Sequence, residues 1–164
     1  MKEKGFDIMF TEIRDDFNEE EILALRIADE QEGFIESTLE CLQEAEHDRR
    51  FIPVGLYMED RAVGFAMYGM FPHAENEQRV WLDRFLIDER YQHQGLGKHF
   101  LEFLLRYLTD LYDCRQLFLS VYETNTAAIH LYKKFGFAFN GELDENGEKV
   151  MVKEIHKHDN DESH

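Results

Sequence analysis

An apolar strand pattern leads directly into a glycine-containing turn and a long amphipathic helix pattern, and few folds contain that succession. The strand pattern covers residues 79–88 (RVWLDRFLID), whose nearly continuous apolar character is typical of a strand buried on both faces in the centre of a sheet. The turn contains Gly95 and Gly97, and an amphipathic apolar stripe runs from Gly95 to about Tyr112. This arrangement predicts an anion site, because unpaired N–H groups and the helix dipole point outward at a helix N-terminus. The alternative is a structural turn in which the glycines allow tight packing.

The rest of the chain alternates between strand and helix patterns. Short β-branched and aromatic runs predict strands, and apolar residues spaced three and four apart predict helices. Ser37 or Thr38 is expected to cap one helix, and Thr124 or Asn125 the last one. The predicted elements are a strand at 6–14, two helices between Glu19 and Asp48 that break near Gly33 to Ser37, a hairpin of 51–59 and 62–71 around Asp60-Arg61, the strand 79–88, the helix from Gly95, a strand at 116–122, a helix at 124–137 and a hairpin at 137–155 with a two-residue Asn146-Gly147 turn.

This order of elements predicts one α/β domain over residues 1–155, with a mixed sheet covered by helices on both faces. Ligands of such sheets favour the carboxyl ends of central strands. The last residues, 156–164 (HKHDNDESH), contain no apolar side chain and are expected to form a disordered polar tail.

Charge excludes some classes of partner. The chain has 35 acidic and 18 basic residues, a formal charge of −17, which repels phosphate backbones and argues against nucleic-acid binding. Residues 1–50 carry much of this charge, either as a solvated helical face or as a surface that gathers cationic ligands. No apolar stretch approaches the ~20 residues of a membrane span, and no signal-peptide pattern opens the chain. We therefore expect a soluble, cytoplasmic protein that does not enter membranes.

Cysteine and histidine do not predict a metal site. Cys41 and Cys114 form neither a disulfide framework nor a zinc-binding spacing. Of the eight histidines, His93 and His99 flank the glycine turn, and the final residues contain three more. No metal is assigned.

Two motifs at characteristic spacing resemble a known family. Gln92-x-x-Gly95-x-Gly97 follows the apolar strand, and Asn125-x-x-Ala128-x-x-x-Tyr132 precedes Phe135-Gly136-Phe137. Together they resemble the acetyl-CoA-binding core of the GNAT superfamily of N-acetyltransferases, over about residues 51–155. The resemblance implies a mixed, mostly antiparallel sheet with a splayed central strand pair, and acetyl-CoA as co-substrate.

The resemblance also implies roles for individual residues. Asn125 and Ala128 would contact the cofactor arm, and Tyr132 would lie beside the thioester sulfur as general acid, although a helical tyrosine is otherwise more often a packing residue. The main chain of the residues just before the turn would pair with pantetheine as an added strand, and the amides of the turn would hold the pyrophosphate. The pantetheine residues are Phe85, Leu86 and Ile87, and the pyrophosphate residues are Gln92, His93, Gln94, Gly95, Leu96, Gly97 and Lys98.

Acetylation of an amine also needs a proton acceptor, because an alkylammonium of pKa ~10 is protonated at pH 7. Asp83 interrupts the apolar strand just before the pantetheine stretch, where diamine acetyltransferases carry an acid by similarity. The alternative for Asp83 is a salt bridge with Arg84 or another cation.

Strings along almost the whole chain, including PVGLY (53–57), RVWLDRF (79–85) and FNGELDENGEKVMVKE (139–154), resemble bacterial spermine/spermidine acetyltransferases of the BltD type. A polyamine site needs carboxylates for the ammonium groups and aromatic walls for the methylenes. The candidates are Glu32, Glu36, Tyr68, Trp81, Asp83 and Glu123, and for Glu32 and Glu36 a solvated surface is the alternative. Rival functions are acetylation of an aminoglycoside, a protein lysine or a protein N-terminus, a non-catalytic acyl-CoA- or polyamine-sensing module, and an interaction domain. A homodimer is one possible assembly.

Overall fold

The computed structural model describes residues 11–27 and 37–156, which contain seven strands, four α-helices and one 3-10 helix. The predicted order of strands and helices is confirmed over these residues. Parts of the prediction lie outside them: residues 6–10 of the first strand, the predicted helix break from Gly33 to residue 36, and the tail from residue 157. The elements are β1 (Thr11–Arg14), α1 (Glu19–Leu23), α2 (Thr38–His47), β2 (Ile52–Met58), β3 (Arg61–Pro72), β4 (Gln78–Ile87), the 3-10 helix (Glu89–Tyr91), α3 (Leu96–Tyr112), β5 (Gln116–Val121), α4 (Thr126–Lys134), β6 (Phe137–Leu143) and β7 (Lys149–Glu154).

The strands form one sheet in the order β1-β2-β3-β4-β5-β7-β6, with β4 at its centre. The β1–β2, β5–β7 and β6–β7 pairs are antiparallel, and β4–β5 is parallel. The predicted mixed α/β fold is therefore confirmed. The residues group into two compact units, unit 1 (Met1–Met67 and Arg84–Leu101) and unit 2 (Tyr68–Asp83 and Glu102–His164). The single domain over 1–155 stays a prediction.

In unit 1, α1 is shorter than the sequence pattern predicts. It begins after its N-cap Asn18 and ends at Leu23, so Arg26 and Ile27, which continue the apolar spacing, lie outside it. The physical reason is that the backbone of Arg26 has partners far along the chain. Its N–H donates to Asp88 and its carbonyl accepts from Glu89, both at 2.8 Å, which replaces the helical pattern.

Helix α2 begins as the sequence suggests. Ser37 is its N-cap, and the Ser37 side chain and Glu40 form a reciprocal capping box. Its apolar face packs into a core with α1, β2 and β3. The buried members of that core are Ile22, Cys41, Leu42, Ala45, Tyr57, Ala62, Phe65, Met67 and Leu86.

Both predicted hairpins form, but each turn differs from its prediction. Glu59 and Asp60 have φ of 52° and 67°, so they make the first turn, and Arg61 already belongs to β3. The last hairpin has a five-residue loop, 144–148, in place of the two-residue Asn146-Gly147 turn. The Asp144 carboxylate explains this, because it accepts hydrogen bonds from the backbone N–H groups of Asn146 and Glu148, both at 2.9 Å.

In unit 2, Arg79 links β4 to β6. Its guanidinium donates to both carboxylate oxygens of Glu142, at 2.8 and 3.1 Å, and to Glu77 at 3.1 Å. The hydrogen bonds from Arg79 lower the pKa of Glu142 below its ordinary value. The charged carboxylate therefore stabilises the folded state above its unfolded pKa of about 4.3, and this contribution is lost as the pH falls through the lower folded-state pKa.

We expect Glu142→Gln to lower the Tm at pH 7 by roughly 2–4 °C, about 1 kcal/mol for a partly exposed ion pair. The difference from wild type should shrink towards pH 3, because protonation of Glu142 makes its side chain neutral like that of glutamine. Thermal melts at both pH values measure this effect. The exposed Glu145 in the hairpin loop offers the control, Glu145→Gln, with little change expected at either pH. An equal loss of Tm at pH 7 and pH 3 would exclude the ionic contribution.

Candidate active site

In unit 1, the glycine turn follows β4 and the 3-10 helix in sequence, and two of its side chains bond to the backbone of the preceding residues. The Gln92 side-chain amide donates to the carbonyl of Ile87 at 2.9 Å, and the Gln94 side chain donates to the carbonyl of Arg90 at 3.3 Å. His93 and Gly95 both have positive φ, 64° and 84°, which brings the chain sharply into α3. The turn therefore ends with the first amides of α3, which lack intrahelical partners.

The two glycines of the turn differ in backbone conformation but share open surroundings. A Cβ atom added at Gly95 or Gly97 would meet nothing within 4 Å, so tight packing explains neither of them. The positive φ of Gly95 favours glycine, whereas Gly97 has no such conformation. His93, Gln94, Gly95 and Lys98 are exposed and Leu96 is buried, so the surface of the turn is open while its base is anchored.

The residues predicted to pair with pantetheine end β4. Leu86 and Ile87 are buried, and Phe85 is half-buried. Gly64 of β3 lies against this stretch, since a Cβ added there would be 2.6 Å from the carbonyl oxygen of Leu86. The absence of a side chain at Gly64 lets the two backbones approach closely.

Asp88, directly after β4, is a residue of this site that the sequence analysis missed. It is completely buried, and its carboxylate accepts hydrogen bonds from Arg26 and Arg90. The signal for it was an aspartate between a strand and a short helical turn, the position of an N-cap. It caps the 3-10 helix that leads into the glycine turn.

In unit 2, the second motif forms α4. Asn125, and not Thr124, is the N-cap, and its side-chain oxygen accepts from the N–H of Ala128 at 3.3 Å. At the other end Gly136 has φ of 97°, and the Lys153 ammonium donates to the carbonyl of Phe135 at 2.6 Å. Both ends of the helix that carries Tyr132 are thus fixed.

Tyr132 packs its ring edge-on against Phe137, with 5.9 Å between the ring centroids. Some of its surface remains accessible, yet burial raises the pKa of its phenol to about 12. The hydroxyl is consequently a hydrogen-bond donor throughout the neutral pH range.

Pairing between β4 and β5 stops early. It is found at Val80–Leu117 and Trp81–Phe118, while β5 continues to Val121 beside β7. This short pairing agrees with the predicted splay of the two strands. The prediction that residues 79–88 are buried on both faces of the sheet is wrong. Trp81 and the stretch from Asp83 to Phe85 are only half-buried.

The two candidate catalytic side chains lie on opposite faces of the sheet in unit 2. The Trp81 and Phe118 rings are 5.4 Å apart, so both lie on one face, and Asp83 follows on the same side of β4. Phe137 and Leu117 lie opposite the same residue of β7, Lys153, so their side chains lie on one face of the sheet. This is the face opposite to that of Phe118, because adjacent strand residues point to opposite faces. Tyr132, packed on Phe137, is therefore on that other face.

The other predicted substrate residues have separate surroundings. Tyr68 is buried in a cluster with Tyr107 and Tyr112, with its hydroxyl 3.4 Å from that of Tyr107. Glu123 is exposed and forms a 3.4 Å ion pair with Lys149. Roles for these residues in substrate binding stay predictions. Glu32 and Glu36 lie outside the described residues.

Two further features bear on the kind of site. Within residues 11–27 and 37–156, no three His, Cys, Asp or Glu side chains are grouped so that they would hold a metal ion. None of the helices in the part of the chain that the structure describes is long and apolar enough to cross a membrane.

Comparison with known proteins gives concordant results. Residues 8–137 match the family model described as the acetyltransferase (GNAT) family. A spermine/spermidine N(1)-acetyltransferase of Bacillus subtilis (strain 168) is 54% identical over 143 residues, which cover 85% of this chain and 94% of the relative.

Among solved structures, a GNAT-family protein from Desulfovibrio desulfuricans aligns with a TM-score of 0.67 at 20% identity, covering 89% of this chain and 99% of that one. The PaiA N-acetyltransferase of Thermoplasma acidophilum, solved in complex with coenzyme A, aligns with a TM-score of 0.52 at 18% identity, covering 73% and 70%. These two likenesses show the fold. The family match over residues 8–137 and the 54% identical relative establish that the chain belongs to the GNAT family of acetyltransferases.

Proposed function

We propose that this protein transfers an acetyl group from acetyl-CoA to a primary amine of spermine or spermidine. The observation that carries the substrate class is the 54% identity to a spermine/spermidine N(1)-acetyltransferase over nearly its whole length. The formal charge of −17 supports it, because an acidic protein attracts a polycation at long range.

Acetyl-CoA would bind with its pyrophosphate at the turn from Gln92 to Lys98. The open space around Gly97 supports this, because nothing in the protein occupies the position that a side chain would fill. The α3 N-terminus supplies N–H donors and a positive dipole end. The backbone of Phe85, Leu86 and Ile87 would pair with the amides of pantetheine as an added strand, and Asn125 and Ala128 would contact the cofactor arm.

Asp83 would accept the proton that the substrate ammonium must lose, directly or through a water. It lies beside Trp81 on one face of the sheet, and an aromatic ring there provides a wall for a cationic aliphatic chain. Deprotonation leaves the nitrogen lone pair available for attack on the thioester carbonyl carbon.

The reaction then requires no covalent enzyme intermediate. The amine nitrogen forms the new C–N bond in a ternary complex, a backbone N–H near Phe85 polarises the carbonyl oxygen, and the C–S bond breaks to release CoA as a thiolate. The nitrogen loses its second proton as the amide forms, and this proton passes to the thiolate or to solvent. Tyr132 would donate a hydrogen bond to the departing sulfur. A thiolate of pKa ~8.5 is a weaker base than a phenolate of pKa about 12, so the hydrogen bond is favoured over full proton transfer.

The decisive experiment measures release of the CoA thiol from acetyl-CoA with spermine, spermidine, putrescine, an aminoglycoside and a lysine peptide in parallel. We expect kcat/KM for spermine or spermidine at least tenfold above the other acceptors. Preference for the aminoglycoside or the peptide would show that the acceptor substrate is another amine and not a polyamine. Binding of acetyl-CoA without turnover of any acceptor would favour a sensing module. Cytoplasmic localisation and a homodimer stay predictions.

A further inference from the structure

The carboxylate of Asp88 has an unusually complete set of partners. One oxygen accepts from the N–H and the Nε of Arg90, at 2.8 and 2.9 Å, and the other accepts from Nη2 of Arg90 and the N–H of Arg26, both at 2.8 Å. The side chain of Asp88 is 0% exposed, while that of Arg90 is 50% exposed. The charge is buried but fully hydrogen-bonded, which is the condition under which a buried carboxylate is tolerated.

The same local arrangement occurs a second time in unit 1. Asp48 accepts from the N–H, Nε and Nη2 of Arg50 at 3.1, 3.0 and 2.7 Å, with the same two-residue spacing. Asp48 differs in its surroundings, because its side chain is 31% exposed and it follows α2, away from the glycine turn in sequence. Comparing Asp88–Arg90 with Asp48–Arg50 therefore separates the effect of the hydrogen bonds within the pair from the effect of lying next to the glycine turn.

Asp88 joins three segments of unit 1. Its own N–H donates to the carbonyl of Val63 on β3 at 2.8 Å, and its carboxylate holds Arg26 after α1. Through Arg90 it fixes the 3-10 helix from Glu89 to Tyr91. The Gln92 and Gln94 side chains then attach the turn to Ile87 and Arg90, one residue before and two residues after Asp88.

We infer that Asp88 is a positioning residue for acetyl-CoA, which holds the turn from Gln92 to Lys98 in its binding conformation by fixing Arg90 and Arg26. The inference rests on the proposed function, since it assumes that acetyl-CoA binds at this turn. A preorganised turn loses little conformational freedom when the pyrophosphate binds, and a released turn must be ordered first. The effect should therefore appear in acetyl-CoA affinity.

The test compares Asp88→Asn with the matched control Asp48→Asn in the full chain. Asparagine keeps the size but replaces one acceptor with an NH2 donor that faces other donors. We expect the KM and Kd for acetyl-CoA to rise at least tenfold in Asp88→Asn, with kcat at saturation and the polyamine KM within about threefold of wild type. Asp48→Asn should leave all of these values unchanged.

A lower Tm with unchanged acetyl-CoA affinity would show that Asp88 is only structural and would overturn the inference. Proportional loss of kcat and of both affinities would overturn it as well. Failure of the wild-type chain to bind acetyl-CoA would refute the proposed function and this inference with it, whereas normal wild-type binding that Asp88→Asn leaves intact would refute the inference alone.

Arg90→Gln provides a second variant if Asp88→Asn folds poorly, because Arg90 is half-exposed, and Arg50→Gln is its control. We expect acetyl-CoA KM to rise at least threefold in Arg90→Gln and to stay unchanged in Arg50→Gln; no rise in Arg90→Gln would overturn the inference. Where Asp88→Asn is soluble, the double variant with Arg90→Gln should bind acetyl-CoA no more weakly than Asp88→Asn alone. Additive losses would mean that Arg90 contacts the ligand itself, against a role through Asp88.

Discussion

Tyr132→Phe should lower kcat by roughly 10²–10³-fold while the KM for acetyl-CoA stays within about twofold of wild type. The substitution removes only the hydroxyl and keeps the edge-on contact with the Phe137 ring. The lost hydrogen bond forms mainly as negative charge develops on sulfur, so ground-state binding should hardly change. Steady-state kinetics with spermine and acetyl-CoA measure both parameters.

The raised pKa of Tyr132, about 12, adds a pH expectation. The phenol stays protonated throughout the usual assay range, so Tyr132 should contribute no decrease in kcat between pH 7 and pH 10. Tyr112→Phe is the matched control, because Tyr112 is also a tyrosine of unit 2 whose pKa burial raises, at the end of α3 that precedes β5. A Tyr132→Phe enzyme that keeps half of the wild-type kcat would exclude the proposed role.

Gly64→Ala should lower the Tm by roughly 3–10 °C, corresponding to about 1–3 kcal/mol of overpacking. The added methyl would lie 2.6 Å from the carbonyl oxygen of Leu86, and 3.0 Å from side-chain carbons of Leu56 and Ile87. A backbone oxygen cannot rotate away, so β3 or β4 must shift. We also expect a higher KM for acetyl-CoA, because the shift displaces the backbone proposed to pair with pantetheine. Thermal melts and acetyl-CoA titration measure the two effects.

Gly97→Ala is the control for stability. It adds the same methyl where no atom lies within 4 Å, in the first turn of α3, where alanine is a better helix former than glycine. Its Tm should therefore match or slightly exceed that of wild type, while its acetyl-CoA affinity should fall because the methyl occupies the space proposed for the pyrophosphate. Equal Tm values for Gly64→Ala and wild type would contradict the close approach of β3 and β4.

The sequence patterns predicted the order of elements well where local signals were strong. The stripe of α3 and the central place of β4 follow from local pattern, which also narrowed each helix cap to two neighbouring residues, and the structure selects Ser37 and Asn125. The errors arose where distant groups compete for the backbone. Arg26 shows this, because its N–H and carbonyl bond to residues more than sixty positions away, which no window of sequence around α1 contains.

The candidate site was predictable to the extent that motifs carried it. The strand-turn-helix pattern predicted the glycine turn, and the resemblance to the GNAT family implied the role of Tyr132, whereas the open surroundings of Gly97 were visible only in the structure. Asp88 was missed because its importance comes from burial and from three segments that meet there. Likewise, Asp83 and Tyr132 could be named from sequence, yet their placement on opposite faces depended on the strand registers.

The early end of the β4–β5 pairing also bears on where the sheet leaves a strand border partly unpaired. An unpaired strand border recruits other extended chains, and proteins usually keep such borders short or covered. In unit 2, β5 pairs with β7 from Gln116 to Val121, and on its other side with β4 only at Leu117 and Phe118. The partly paired border therefore lies in the interior of the strand order, between β4 and β5. In unit 2, this border of β5 is therefore flanked by a neighbouring strand, and it does not lie at the edge of the sheet, where exposed strands recruit other chains.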